Sequence, residues 1–402
     1  MTPPRSQAAA GRAPTVTLPA MRAIGLMSGT SADAMDAAAV LVEGGAAPRR
    51  STKLLALRSI PFEDAVRSEI LLAQEGELPV RRLFALHVGL GQIAAEASRQ
   101  AQIAAGWSDP PDVIGFHGQT VFHDPRGKRS GRPLSIQIGE PSVVAFTLRA
   151  PVVSNFRMAD VLQGGEGAPL VPRFDYHQLG SEDIDRVLLN LGGIANLTRI
   201  QAGASVGSLV AFDCGPANML LDGVVEMLVG KGTRYDEGGA LAARGHADGP
   251  VVREFLEDPY FHRKPPKSAG REEFGESFRA RFLKRTEGLS VEDRLRTAVE
   301  ITAGAIALGV AMSGPVQPDE LVVSGGGAKN ATLLEALRAR LPGVALRKSD
   351  ELGTPSEAKE AMAFAFLAVE TLAGRPGNVP AATGARKEVV LGGITPAPEP
   401  RR

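Results

Sequence analysis

The chain has one cysteine, few aromatic residues and no net charge. Of its 402 residues, 45 are Lys or Arg and 45 are Asp or Glu. Cys214 alone excludes an intramolecular disulfide framework and a cysteine-based zinc cluster, and it points to a reducing, cytoplasmic setting. The balanced charge argues against a general nucleic-acid binder, which would carry a basic excess, but leaves room for a local cationic pocket. Long apolar runs are also missing: the longest uncharged apolar stretch, Ile301 to Gly314, is too short to span a bilayer and reads as a buried helix. What is plentiful is backbone punctuation, with 46 Gly and 29 Pro. Without a collagen period this means either disorder or many tight turns, and where the glycines fall decides between them.

The length favours two or three domains. Residues 1–20 carry Arg5 and Arg12 and no acid, but lack the amphipathic face of a transit peptide and any signal-peptide core. They read as a disordered tail, or as chain ahead of a start at Met21. From Arg22 the pattern turns regular. Strands are expected at 22–27, 36–43 and 52–59, helices at 62–74 and 80–104, a strand at Val113–Phe116 and a helix at 142–149. The order then recurs: strands at Arg186–Leu191, Leu209–Asp213 and Glu320–Ser324, with helices at 216–230, 291–314, 330–341 and 356–374. This is an α/β chain of two similar halves facing a cleft, with the boundary near 155–185 and no short-period repeat.

Three loops that follow apolar strands combine small residues with polar side chains. GLMSGTSADAMD offers Ser28, Gly29, Thr30 and Ser31 to an anion, and Asp33 with Asp36 to a hydrated Mg²⁺; its plain alternative is a polar hairpin turn. In FDCGPANMLLD, Asp213 ends a strand, Gly215-Pro216 turns the chain and Asn218 opens a helix whose N-terminus suits an anion. Asp213 there is either a general base or a helix cap. VVSGGGAKN places Gly325, Gly326 and Gly327 ahead of Asn330, which permits close backbone approach by a phosphorylated ligand. It matches neither the dinucleotide fingerprint nor a P-loop. Further polar blocks are GFHGQTVFH with His117, Gln119 and Thr120, NFRMADVLQGGEGAPLVP with Arg157, Asp160 and Glu166, LNLGGIANLT with Gly192 and Gly193, and PKSAGREEF with Lys267 and Arg271. A lone His is usually a satisfied structural residue; the concentration of such blocks at strand ends is what points to a site.

Together with IQIGEP and KEAMAFAF, these blocks resemble the anhydro-N-acetylmuramic acid kinase family, in the family's order, from about Ala23 to Thr395. The resemblance implies the actin and sugar-kinase ATPase fold, two RNase H-like domains around a nucleotide. Residues 21–175 would form the first domain and 176–375 the second, with 376–402 packing back on the first. It also implies that ATP and water open the 1,6-anhydro bridge and leave a 6-phosphate. Asp213 would activate the water. Gly25, Ser28 to Asp33, Gly192, Gly193, Gly215, Asn218, Gly325 to Gly327 and Asn330 would hold the nucleotide, and Asp33 and Asp36 Mg²⁺. His117, Gln119, Thr120, Arg157, Glu166 and Glu360 would face the sugar. The implied partners are the anhydrosugar and ATP, with room for a homodimer and no nucleic acid or membrane. Alternatives are a kinase of the same fold acting on a free hydroxyl or a levoglucosan-like sugar, and an actin-like ATPase that binds protein. Four positions depart from the family's usual pattern: Ala34 for Gly, Met158 for Arg, Glu166 for Gln and Ala269 for Thr. Ala34 would be strained if its backbone needed φ > 0, and Glu166 would repel a carboxylate on the sugar.

Overall fold

The computed structural model describes residues 19–29, 31–43, 49–230, 232–265 and 267–398. The expected tail therefore lies almost wholly outside the described residues, as does Thr30. The first half runs β1 (Met21–Met27), β2 (Ala34–Val42), β3 (Thr52–Pro61), α1 (Asp64–Glu75), α2 (Val80–Ala104), β4 (Val113–Phe116), β5 (Gln119–Asp124), β6 (Leu134–Ile138), α3 (Pro141–Leu148), β7 (Val152–Ser154), α4 (Met158–Leu162) and α5 (Val171–Leu179). The second runs β8 (Arg186–Leu191), β9 (Ile194–Ile200), β10 (Val210–Pro216), α6 (Asn218–Leu228), α7 (Gly249–Leu256), α8 (Pro259–His262), α9 (Arg271–Phe274), α10 (Glu276–Arg285), α11 (Val291–Met312), β11 (Glu320–Ser324), α12 (Ala331–Arg340), β12 (Ala345–Lys348), α13 (Lys359–Leu372), α14 (Pro380–Thr383) and β13 (Gly393–Thr395).

The two large sheets have one topology. In the first, the strands lie in the order β3-β2-β1-β4-β7, extended by β13; in the second the order is β10-β9-β8-β11-β12. In each, the first three strands form an antiparallel meander, and the fourth and fifth run parallel to the starting strand. This repeated order is that of the two RNase H-like domains of the actin-like fold. Ligands in such sheets bind beyond the carboxyl ends of the parallel strands. Those ends are Met27, Phe116 and Ser154 in one sheet, and Leu191, Ser324 and Lys348 in the other, where Pro216 of β10 points the same way.

Strand β2 shows how sequence builds the layers. Its odd residues Met35, Ala37 and Ala39 join the core under α1 and α2, and its even residues Ala38, Val40 and Val42 join the core under α13. A strand covered on both faces reads as a continuous apolar run, which is why AMDAAAVLV does not alternate. Helix α13 lies so close to the sheet that a Cβ on Gly25 would stand 1.8 Å from the Ala361 carbonyl, and one on Gly115 2.0 Å from that of Phe364. Only glycine fits at either contact.

This packing moves the expected division at residue 375. Helix α13 belongs to the core of the first sheet, and β13 then pairs antiparallel with β7. The second core is built around α11, which Ser290 caps by accepting from the Asp293 amide. By length and composition α11 could cross a membrane, but it is mostly buried inside this half. Sequence periodicity missed the β5–β6 hairpin, a two-stranded unit standing apart from both sheets.

Candidate active site

At the first sheet's edge the polar side chains bind one another. The buried Ser28 hydroxyl donates to Gln119 Oε1 at 2.6 Å, and Gln119 Nε2 donates to the Gly29 carbonyl at 3.2 Å. The loop after β1 is thereby fastened to the start of β5, with Gln119 holding the loop in place. His117, after β4, donates from Nδ1 to the Gly118 carbonyl (2.7 Å) and accepts at Nε2 from Arg157 Nε (2.9 Å). Its pKa is pushed down to about 3, by burial first and by the Arg157 charge second, so the ring is neutral and serves as an anchor. Arg157 also donates to the Gly167 carbonyl at 3.0 Å. Glu360, in the first turn of α13, is held above the usual carboxylate value by protein crowding, which the Arg157 charge opposes. The structure thus brings His117, Arg157 and Glu360 together.

The two sheet edges meet beside them. Lys329, from the glycine-rich loop after β11, pairs with Glu357 at 2.9 Å. Glu357 in turn acts on Asp36, whose pKa burial raises.

On the second edge the backbone is bare. Gly193 and Gly326 are exposed. Gly325 has φ +82°, and a Cβ there would stand 2.7 Å from Asn190 Oδ1; one on Gly327 would stand 2.7 Å from Leu191 Cβ and 3.0 Å from Asn218 Oδ1. The turn after β8, the start of α6 and the loop after β11 therefore converge, and any side chain added between them would fill their junction. Asp213 lies within β10, just ahead of its bulge, and is half-buried. Its Oδ2 accepts from the Ala269 amide at 2.9 Å, and its carbonyl accepts from the Tyr260 hydroxyl at 2.9 Å. Burial raises its pKa above the ordinary 3.8 despite the Ala269 bond. Ala269 contributes only its backbone N–H to this contact, which any residue but proline would supply. Lys267 sends its ammonium to the carbonyls of Tyr260 and Phe261 (3.1 and 3.3 Å), so it braces the wall behind Asp213. Burial raises the Cys214 thiol, which leaves it un-ionised.

Several expectations change. Asp33 and Asp36 do not form a metal pair: three residues apart on an extended chain, they leave on opposite faces of the sheet. Asp33 meets Arg67 of α1 (3.5 Å), and Asp36 faces the α13 side. No cluster of three His, Cys, Asp or Glu fit for a metal occurs among the described residues. Gly25 is pressed under α13, and a Cβ on Gly215 would stand 2.7 Å from the Phe261 ring, so both are packing glycines with no room for a nucleotide. Asn330 accepts from the Leu333 amide and caps α12. The first amides of α6 are occupied as well: those of Ala217 and Met219 donate to the Gly193 carbonyl and that of Asn218 to Gly192, so this helix end offers an anion little. Glu166 is paired with Arg126 at 2.5 Å, which offsets the charge expected to repel a carboxylate. Ala34 lies in ordinary strand geometry; the left-handed residue is Ala32, at φ 53°. Ser31 is exposed, and Thr120 Oγ1 accepts from Gln137 Nε2 at 3.4 Å.

One region went unnoticed in the sequence. A cavity of about 450 Å³ is lined by Thr233, Arg234, Tyr235 and Asp236 among others. Its wall is tied to α12 by Thr332 Oγ1 donating to the Gly239 carbonyl at 2.7 Å, directly after the Gly325–Gly327 loop. An aromatic and charged run bracketed by glycines was the available signal.

Residues 21–397 match the family model for anhydro-N-acetylmuramic acid kinase. The chain belongs to the anhydro-N-acetylmuramic acid kinase family. Among curated relatives of that name, the one from Gloeobacter violaceus is 40% identical over 377 residues, covering 93% of this chain and 98% of its own. Those from Synechococcus sp. CC9311 and Bacillus cereus Q1 are 42% and 39% identical over 385 and 379 residues, each covering 92% of this chain and 98% of their own. As a member of this kinase family the chain is a phosphotransferase with an alcohol acceptor.

Proposed function

We propose that this protein uses ATP and water to open the 1,6-anhydro bridge of anhydro-N-acetylmuramic acid and leaves phosphate on O6, giving N-acetylmuramic acid 6-phosphate and ADP. The observation that carries the reading is Asp213, a carboxylate fixed at one oxygen and raised in pKa, at the same strand edge as the bare glycine loops. A raised pKa makes its carboxylate a better proton acceptor. Water loses a proton to Asp213 and bonds to the anomeric carbon; the bond from that carbon to O6 breaks. O6 then bonds to the γ-phosphorus as ADP departs.

The backbone of Gly192, Gly193 and Gly325 to Gly327 is proposed to approach the phosphates, and the Thr233–Asp236 cavity to take the nucleoside. Arg157 and Glu360, steadied by His117, face the sugar. Mg²⁺ is the ion such a nucleotide carries, but the described carboxylates do not gather for it, and no step above depends on it. A lone buried cysteine and a need for ATP fit a cytoplasmic setting.

The test is turnover in ¹⁸O-labelled water. Label at the anomeric carbon of the phosphorylated product is expected; a product phosphorylated without label would make the protein a simple hydroxyl kinase and overturn the reading.

A further inference from the structure

Four adjacent strands of the second sheet carry a polar residue each at one level. The registers pair Ser324 of β11 with Asn190 of β8, Asn190 with Asn196 of β9, and Asn196 with Asp213 of β10. Residues paired across neighbouring strands leave from one face of the sheet, so these four form a row. Their sequence neighbours Leu189, Leu191, Leu197 and Phe212 alternate to the other face, into the core around α11.

Asn190 and Asn196 flank the turn at Gly192 and Gly193, where an asparagine commonly bonds the backbone of the turn. Neither does so here. Both are half-buried, and among the described residues neither side-chain amide has a hydrogen-bond partner. Asp213 has Oδ2 fixed by the Ala269 amide, which leaves Oδ1 to the row. At the other end Asn190 reaches the glycine loops: a Cβ on Gly325 would stand 2.7 Å from its Oδ1, and one on Gly192 3.5 Å from its Nδ2. The order across the sheet is therefore glycine loops with Asn190, then Asn196, then Asp213.

The proposed reaction has the same order: phosphorus, O6, anomeric carbon, water, base. Strands lie about 4.8 Å apart, so Asp213 and Asn190 are separated by roughly 10 Å. With reacting atoms about 3 Å apart before bonds form, the path from carboxylate to phosphorus is also roughly 10 Å. Asn196 stands at its middle, where O6 leaves carbon for phosphorus.

We infer that Asn196 is a further catalytic residue, whose Nδ2 donates a hydrogen bond to O6 as the bond from the anomeric carbon breaks. The inference rests on the anhydrosugar reading above. The electron pair of that bond passes to O6 and from O6 to phosphorus; the amide transfers no proton and steadies the charge while O6 holds it. A neutral donor fixed in a strand is well suited to this, since it needs no rearrangement at the moment of reaction.

The experiment measures the single-turnover rate of phosphoryl transfer at saturating ATP and anhydrosugar for wild type, Asn196→Ala and Asn196→Asp. Calorimetric binding of the sugar and of a non-hydrolysable ATP analogue is measured on each, with a thermal melt for folding. Asn196→Ala should lose on the order of 10²–10³ in rate with both affinities kept. Asn196→Asp should lose more, because it keeps the shape but sets a negative charge beside O6. A folded Asn196→Ala that turns over at the wild-type rate overturns the inference, as does a loss confined to affinity; both leave the anhydrosugar reading standing. A wild-type product without ¹⁸O from water removes that reading, and the role of Asn196 with it.

Discussion

The two sheet edges share one strand order and are equipped in opposite ways. The first is dense with side chains already bound to one another: Ser28 to Gln119, His117 to Arg157, Arg157 to Gly167. The second offers glycine backbone and a single carboxylate with one oxygen fixed. The difference teaches what each edge can recognise. A preorganised side-chain network selects shape and hydrogen-bonding pattern, as a sugar requires, whereas exposed backbone accepts a charged phosphate chain at close range without regard to its substituents.

The sharpest way to break this contrast is at the second edge. Asp213→Asn keeps the shape and the Ala269 bond but removes the proton acceptor. It should lower kcat by on the order of 10²–10⁴ with an unchanged melting temperature. Retention of sugar-dependent turnover near the wild-type rate would remove Asp213 from the chemistry.

The first edge should respond in stability. Asp160 is fully buried and accepts from the Gly167 amide (2.8 Å), Asn378 Nδ2 (2.7 Å) and Thr383 Oγ1 (2.7 Å), joining the loop that supports Arg157 to the C-terminal segment. Asp160→Ala removes three buried hydrogen bonds and strands the Gly167 amide, while Asn378 Nδ2 keeps the Lys387 carbonyl and Thr383 Oγ1 the Val379 carbonyl, and should cost roughly 3 kcal/mol by denaturant unfolding. A loss below 1 kcal/mol would mean the network is not what holds this edge.

The smallest effect is one of pH. His117 has a folded pKa near 3 against 6.5 for an ordinary His, so the unfolded chain binds the extra proton between those values and native stability falls on acidification. The stability advantage of wild type over His117→Asn should shrink by about 2 kcal/mol between pH 7 and pH 5. A constant difference would show that His117 titrates alike in the folded and unfolded chain.

Much of the architecture was legible because apolar runs mark strands buried on both faces, and the periodicity of α2 and α11 marks helices. The β5–β6 hairpin was not, since its residues alternate little and its pairing has a register shift between Thr120 and Phe122. Of the proposed site, Asp213, Arg157 and the Gly325–Gly327 loop were legible as polar or glycine-rich residues at or near strand ends. Gly25 and Gly215 were misread because a glycine that admits a helix or a ring looks the same in sequence as one that admits a ligand. Asp33 and Asp36 were misread because nearness in sequence says nothing about which face of a strand a side chain leaves from.

Helix α13 and strand β13 complete the sheet that β1 begins. On a ribosome the amino-terminal half emerges first, yet the helix that covers Gly25 and Gly115 is synthesised more than two hundred residues later. The half that starts first must therefore wait with one face of its sheet uncovered, while in the second half the core around α11 uses nothing after residue 348 and can close ahead of it, the opposite face of that sheet waiting for Leu352, Val379 and Ala382. Until α13 and β13 have been made, one face of each sheet stands open, so the last fifty or so residues close both halves together.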